Sequence, residues 1–136
     1  MKNPFKLSGF DSIIAKGLTL RAATVIIGVG QTLVIDGEVF GPDIKVADQL
    51  DSKVDLKTTL IVNGTTECVN NITVPNLTVT GAVKVDMIIC EGTLAIKAGA
   101  KVDANEIRYR HLVIEDGAVV LGKMAHLDHI SAGEQV

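Results

Sequence analysis

The residues of this chain that could bind a metal lie close together near its C-terminus. His126, Asp128 and His129 stand within the stretch HLDH, and histidine and carboxylate side chains are common zinc ligands. Three such side chains near a chain terminus hold a metal poorly without further ligands. A third histidine, His111, precedes an apolar run and is expected on an outer face. The sequence therefore assigns no catalytic residue and no metal site.

Two further stretches resemble binding motifs. The run GVGQT at 28–32 lacks the lysine and the following helix that a phosphate-binding loop requires, so we expect no nucleotide. In the run RYR, strand alternation would place Arg108 and Arg110 on one side and Tyr109 on the other. The arginines would form a solvated face or a docking patch for an acidic partner.

Composition limits the remaining functions. The chain has 136 residues, 47% of them hydrophobic but only 3% aromatic, so its core must consist of Val, Ile, Leu and Ala in thin, regular layers. A net charge of −3 and the scarcity of aromatic residues argue against a nucleic-acid surface. No apolar run reaches the roughly 20 residues of a membrane-spanning helix, and the N-terminus lacks a secretory signal. We therefore expect a cytoplasmic protein without a cofactor.

A repeated sequence motif explains how the chain builds such layers. Five segments begin with a leucine, and the numbers of the last four leucines differ by 17, 17 and 18. Two residues after each leucine comes an Ile or Val, and a glycine follows at 37, 64, 81, 99 and 117. The five leading residues are Leu33, Leu60, Leu77, Leu94 and Leu112.

A second column shares this period, with Ile72, Ile89 and Ile107 at spacings of 17 and 18. Within each segment apolar and polar residues alternate, which is typical of a half-buried strand. A repeat of this length accommodates about three short strands, which stack on the next repeat about 4.8 Å away. The sequence predicts an all-β, single-domain parallel β-helix (β-solenoid) of about six coils.

Two details follow from the period. The spacing from Gly37 to Gly64 is 27, which exceeds one repeat, so we expect an irregular insertion at 40–59. The spacing from Cys68 to Cys90 is 22, which does not match the period, so the two cysteines should not stack on neighbouring coils. We interpret them as two buried, reduced thiols.

Three segments resemble the bactofilins, a bacterial polymer-forming cytoskeletal family. They are LVIDGEVFG (33–41), LTVTGAVKVD (77–86) and LVIEDGAVVLG (112–122). The resemblance implies a right-handed β-helix that polymerises head-to-head and tail-to-tail into filaments without nucleotide. It also implies a scaffold at the inner face of the cytoplasmic membrane that positions cell-wall enzymes. One departure is Val120, where the family's closing motif usually carries an aromatic residue that helps the contact between subunits.

The ends of a β-helix expose unpaired strand edges, which must be capped or used for assembly. We expect a β-helix at 13–122 between an N-terminal tail, 1–12, and a C-terminal tail, 123–136. The candidate polymer interface comprises Ile13, Ile14, Leu18 and Leu20 at one end and Val119, Val120, Leu121 and Leu127 at the other. A candidate membrane-contacting segment combines apolar and basic side chains, namely Met1, Lys2, Phe5, Lys6 and Leu7.

Two other classes remain open on the sequence. A β-solenoid with capped ends would be a non-polymerising binding module, which its size in solution would reveal. A hexapeptide-type acyltransferase also stacks short coils, but it needs an aliphatic residue every six positions, and this chain does not keep that spacing. We therefore expect a non-enzymatic scaffold whose main partner is itself.

Overall fold

The structure, a computed structural model, describes residues 5–7, 12–21, 24–47 and 57–127. These residues form twelve β-strands joined by turns. The strands are β1 (Phe5–Leu7), β2 (Ser12–Ile14), β3 (Thr19–Arg21), β4 (Thr24–Ile27), β5 (Thr32–Ile35), β6 (Glu38–Val46), β7 (Thr59–Val62), β8 (Thr65–Val74), β9 (Asn76–Val79), β10 (Ala82–Ile96), β11 (Lys101–Ile114) and β12 (Val119–His126).

All pairings between these strands are parallel, and they define three faces of a β-solenoid. Face A contains β3, the first half of β6 and β8, and the first parts of β10, β11 and β12. Face B contains β1, β4 and the parts of β6, β8, β10, β11 and β12 that follow. Face C contains β2, β5, β7, β9 and the ends of β10 and β11. The described strands make about five complete turns with a partial turn at each end, close to the six expected.

The leucine repeat forms a column inside the solenoid, as the sequence predicted. Leu33 pairs with Leu60, Leu60 with Leu77, Leu77 with Leu94, and Leu94 with Leu112. The first four leucines are fully buried. The Ile or Val two residues later forms a second buried column on the same face. Each turn buries its inner side chains against the turns above and below, so the core is a stack of aliphatic layers.

The predicted isoleucine column is wrong at one position. On face B, Ile72 pairs with Ile88, and Ile88 pairs with Ile107; all three are fully buried. Ile89 pairs with Thr73 and Arg108 and lies on the outer side instead. The cause is a register shift: two residues, Val69 and Asn70, stand in β8 where β10 has only Asp86. At this point the inward residues of β10 change from odd numbers, Val83 and Val85, to even numbers, Ile88 and Cys90, whereas those of β8 stay even.

Three of the repeated glycines stack because backbone passes directly above backbone. A Cβ on Gly64 would lie 2.0 Å from the carbonyl oxygen of Gly37, and one on Gly81 would lie 2.0 Å from that of Gly64. Gly99 and Gly117 instead adopt positive φ angles of 82° and 90° in longer turns. The glycine column therefore serves two different purposes: close approach in the early turns and left-handed backbone in the late ones.

A polar ladder follows the corner between faces C and A. The Asn63 side-chain amide donates to Asp36 Oδ1 at 2.7 Å, and the Thr80 hydroxyl donates to Asn63 Oδ1 at 2.6 Å. In the later turns Lys97 pairs with Glu115 at 3.5 Å. These contacts join successive turns where the chain bends.

The strand register locates the extra residues of the long repeat. Lys45 pairs with Thr73, and Thr59 pairs with Asn76. Between these pairs the lower turn runs from 46 to 58, whereas the upper turn has only 74 and 75. Residues 40–45 of the predicted insertion at 40–59 thus belong to the regular strand β6, and residues 48–56 lie outside the described part of the chain.

Strands also occur beyond the predicted limits of the β-helix at 13 and 122. β1 lies within the segment predicted as an N-terminal tail, and β12 continues to His126. The division into a β-helix and two tails stays a prediction about domain organisation.

Candidate assembly faces

The two ends of the solenoid carry unpaired strand edges among the described residues. β12 pairs only with β11, and β3 pairs only with β6. At the same end as β3, β1 pairs only with β4, and β2 pairs only with β5. The end of β11, residues 112–114, pairs with β10 on one side only. Backbone N–H and C=O groups on such edges are available to another chain.

At the C-terminal end the inner columns become exposed. Ile114 continues a column on face C whose members in the four preceding turns, Ile35, Val62, Val79 and Ile96, are all 0% exposed. Ile114 itself is 44% exposed, because no further strand covers it among the described residues. Its exposed area is therefore the area that one more turn of β-solenoid would bury.

Other inner columns end in the same way. Val120 pairs with the fully buried Val102, and Met124 pairs with the fully buried Ile107. Both are only partly buried and pack against the core, as does Leu112. Their side chains thus continue the core up to the open end of the solenoid.

The structure divides the predicted C-terminal interface residues into two groups. Val120 lies in an inner column, whereas Val119 and Leu121 pair with Lys101 and Asp103 on the outer side of face A and are exposed. Leu127 follows β12 directly and is partly exposed. A polymer contact at these residues stays a prediction, and the inner-column position of Val120 makes it the most direct candidate of the four.

The N-terminal end shows the same division. Ile14 pairs with the buried Ile35, and Leu20 pairs with the buried Val39, so both lie in inner columns and pack against the core. Ile13 lies on the outer side of face C and is 59% exposed, and Leu18 precedes β3 and is 58% exposed. All four residues belong to the first turn, and their role in a polymer contact stays a prediction.

The sequence reasoning missed Leu112, Ile114 and Met124 as end-face candidates. Leu112 and Ile114 belong to the last copy of the repeat. Since no sixth leucine follows at the next repeat position, the leucine column has to end there. The end of the leucine column could therefore have been predicted from the sequence.

A groove of about 700 Å³ runs along the corner between faces A and B. Its wall includes Val69, which the bulge in β8 pushes outward to 77% exposure. At one end the Arg21 guanidinium lies 4.6 Å from the centre of the Phe40 ring. At the other end the Asn105 amide donates to Asp86 at 2.6 Å. The groove thus combines apolar side chains with charges of both signs along its length.

The two cysteines are free and buried, as predicted. Cys68 pairs with Val85 on face A, and Cys90 pairs with Val74 on face B, so their side chains point from different walls. Burial raises the pKa of each thiol to about 12, and for Cys68 the nearby Asp43 carboxylate adds to the effect. Neither thiol is therefore ionised near neutral pH, and neither is activated as a nucleophile.

The histidines and arginines have structural surroundings. His126 lies in an inner column, and its ring meets the Tyr109 ring edge-on at 5.6 Å. Arg108 forms an ion pair with Glu106, and Arg110 donates to the Glu91 carbonyl oxygen at 3.1 Å. Tyr109 points inward and Arg108 outward, as predicted, whereas Arg110 stands at a register shift between β10 and β11. Residues 128 and 129 lie outside the described part of the chain. Among the described residues, no group of three or more His, Cys, Asp or Glu could hold a metal.

The predicted membrane-contacting segment is described in part. The backbone of β1 pairs with Val25–Ile27 at the N-terminal end of face B, and Met1 and Lys2 lie outside the described residues. Within the described ranges, no helix is long and apolar enough to cross a bilayer.

A comparison with protein families gave a match over most of the solenoid. A family model described as bactofilin, polymer-forming cytoskeletal, matches residues 13–125. This span covers well over half of the chain. A search of curated proteins and a search of solved structures each found no match.

Proposed function

The chain belongs to the bactofilin family, and from this premise we propose that it is a cytoskeletal scaffold that assembles end to end into filaments without nucleotide. The proposal assigns the chain no catalytic activity and no cofactor. The rod is the structural element, and its two open ends are the joints.

The observation that carries the proposal is the exposure of the inner columns at the ends. Ile114 is 44% exposed, whereas its equivalents in the four preceding turns, Ile35, Val62, Val79 and Ile96, are 0% exposed. Leu20 and Ile14 at the other end likewise have no covering strand among the described residues. Stacking a second rod would bury these aliphatic side chains and pair the free strand edges in one step.

We propose that the ends meet in like pairs, C-terminal face with C-terminal face and N-terminal face with N-terminal face. Each joint then has a two-fold axis, and the same patch serves both subunits. A filament built this way has no overall polarity. Family membership supports this arrangement. If the joints are formed by like faces, a protein with one face blocked should still form dimers through its other face.

Negative-stain electron microscopy of the purified full-length protein without nucleotide tests the proposal. We expect thin filaments of uniform width. Val120→Arg should abolish them while the solenoid stays folded, because a charge in a buried contact costs several kcal/mol. Thr73→Arg, on the outer side of a middle turn, is the matched control and should leave filaments intact. Discrete particles from the wild-type protein would contradict the proposal, and intact filaments from Val120→Arg would contradict the role of that residue.

We further propose that the N-terminal segment brings the filament to the inner membrane surface. Met1, Phe5 and Leu7 are apolar and Lys2 and Lys6 are basic, a combination suited to an anionic lipid interface. One copy would bind weakly, but a filament presents many copies. Co-sedimentation with phosphatidylglycerol vesicles should fall when both lysines are changed to glutamine. Equal co-sedimentation of the two proteins would contradict this role.

Positioning of envelope proteins is the remaining part of the proposal. The groove between faces A and B lies on the side of the rod, so stacking at the ends would leave it open. Val69 is exposed in this groove, so it is the first residue to substitute in a binding test once a client protein of the filament is identified. We expect Val69→Asp to reduce client binding in a pull-down while filaments form normally; undiminished binding would place the client elsewhere.

A further inference from the structure

The outer surface of face C differs chemically from that of the other two faces. Its central row contains no charged side chain over the whole length of the described solenoid. The row is Ile13, Val34, Ile61, Thr78, Ala95 and Val113, each paired in register with the next. We call this row the face C stripe.

The row beside the stripe is also free of Asp, Glu, Lys and Arg. It consists of Thr32, Thr59, Asn76, Thr93 and His111. The Asn76 side chain is engaged within the wall itself: its amide donates to the Thr58 carbonyl oxygen at 3.3 Å, and its oxygen accepts from the Thr93 N–H at 3.1 Å. These polar atoms therefore need no ionic partner outside the rod.

The other faces carry charges at the equivalent outer positions. On face A one outer row includes Arg21, Glu67, Lys84 and Asp103. On face B the outer rows include Asp43, Lys45, Glu106, Arg108 and Lys123. A charged outer surface is the ordinary way to keep a sheet face solvated. The two rows of face C carry no such charge, and the nearest charged side chains, Asp36, Lys97 and Glu115, lie at the corner with face A.

We propose that face C is the surface by which two filaments of this chain pack side by side, stripe against stripe. The inference rests on the proposed function, because it requires rods already joined end to end. A second copy is the occupant that the chemistry favours. Two identical uncharged surfaces meet without like-charge repulsion, and a two-fold axis suffices to pair them. An anionic membrane surface would call for lysine or arginine in these rows, and they contain neither.

The area of the stripe explains why assembly must come first. Six positions at about 4.8 Å spacing span roughly 24 Å, and three residues across a strand span roughly 10 Å. One rod therefore offers about 240 Å², whereas a stable interface buries about 800 Å² per partner. Four subunits whose stripes lie on the same side of the filament exceed that value, and the proposal requires this alignment. Lateral pairing is thus expected of filaments and not of single rods, because weak contacts along a filament act together.

Two threonines of the same turn provide a matched test. Thr78 lies in the face C stripe between Ile61 and Ala95, and Thr73 lies on the outer side of face B between Lys45 and Ile89. Both side chains are partly exposed. Thr78→Lys and Thr73→Lys therefore make the same chemical change at the same level of the rod, and only the face differs.

The experiment measures filament width by negative-stain electron microscopy of the full-length protein. We expect wild-type and Thr73→Lys filaments to pair at about twice the width of the Thr78→Lys filaments, which should be single and equally long. Pairs of wild-type filaments should persist in about 1 M NaCl, where charge interactions are screened beyond about 3 Å.

Each contrary result has its own meaning. Single wild-type filaments, unchanged pairing of Thr78→Lys, or pairs that dissolve in salt would overturn the lateral role of face C and leave end-to-end assembly standing. A wild-type protein that forms no filaments would overturn the proposed function as well.

Discussion

Replacing Ile114 by arginine perturbs the end of an inner column without entering the core. In the single rod Ile114 is 44% exposed, so an arginine there can extend its guanidinium into water along its own aliphatic stem. We expect the thermal melting of Ile114→Arg to stay close to that of the wild type. The same change at Ile96, which is 0% exposed, should unfold the protein.

The exposed fraction of Ile114 gives the expected loss of binding free energy at the joint. Full burial of an isoleucine side chain stabilises by about 1.5–3 kcal/mol, so the exposed 44% is worth about 0.7–1.3 kcal/mol. Two copies meet in a symmetric joint, which gives about 1.3–2.6 kcal/mol. At about 1.4 kcal/mol per tenfold, losing this area alone weakens the joint about 8-fold to about 70-fold. An unpaired buried guanidinium weakens it further.

Sedimentation velocity provides the assay. Because the N-terminal face is untouched, Ile114→Arg should stop at dimers, and Leu20→Arg should do the same through the opposite face. The double variant should be a monomer. Thr73→Arg is the control and should polymerise normally. Wild-type polymer from Ile114→Arg would refute the end-face reasoning, and monomers from each single variant would show that the joints are head-to-tail.

Three further predictions test the fold. Cys68 and Cys90 should react with a thiol reagent at pH 8 only as fast as the protein unfolds, because burial raises both pKa values to about 12; rapid labelling of the native protein would contradict this. The Ala98 N–H and Lys97 lower the pKa of Glu115, so its stabilising contribution is present above about pH 4.5 and is lost as pH falls through the lowered value. The melting temperature of Glu115→Gln should therefore lie below that of the wild type at pH 7 and approach it at pH 3, and a constant difference would argue against the interaction. Gly81→Ala should destabilise by about 1–3 kcal/mol or more in urea unfolding, because its Cβ would lie 2.0 Å from a backbone oxygen. Gly17→Ala, which meets no atom within 4 Å and only has to adopt a positive φ, should cost less, and the reverse order would refute the close-approach argument.

Some parts of the candidate assembly faces could be predicted from the sequence. Val120 and Leu20 were identified because they stand at the two ends of the repeat, and the structure places both in inner columns. Val119 and Leu121, chosen on the same grounds, point outward on face A. Position along the chain therefore identified the turn, but it did not identify which side of the strand each residue occupies.

The spacing of the leucines by itself determined the architecture. A side chain that must be buried once per turn has to recur once per turn, so Leu60, Leu77, Leu94 and Leu112 set both the solenoid and its period. The tertiary structure decided the side on which a residue lies wherever the turns differ in length. The two bulged residues of β8, Val69 and Asn70, put Ile88 in the core and Ile89 outside. In a strand a shift of one residue exchanges the two faces, and only the pairing of neighbouring turns shows where that shift occurs.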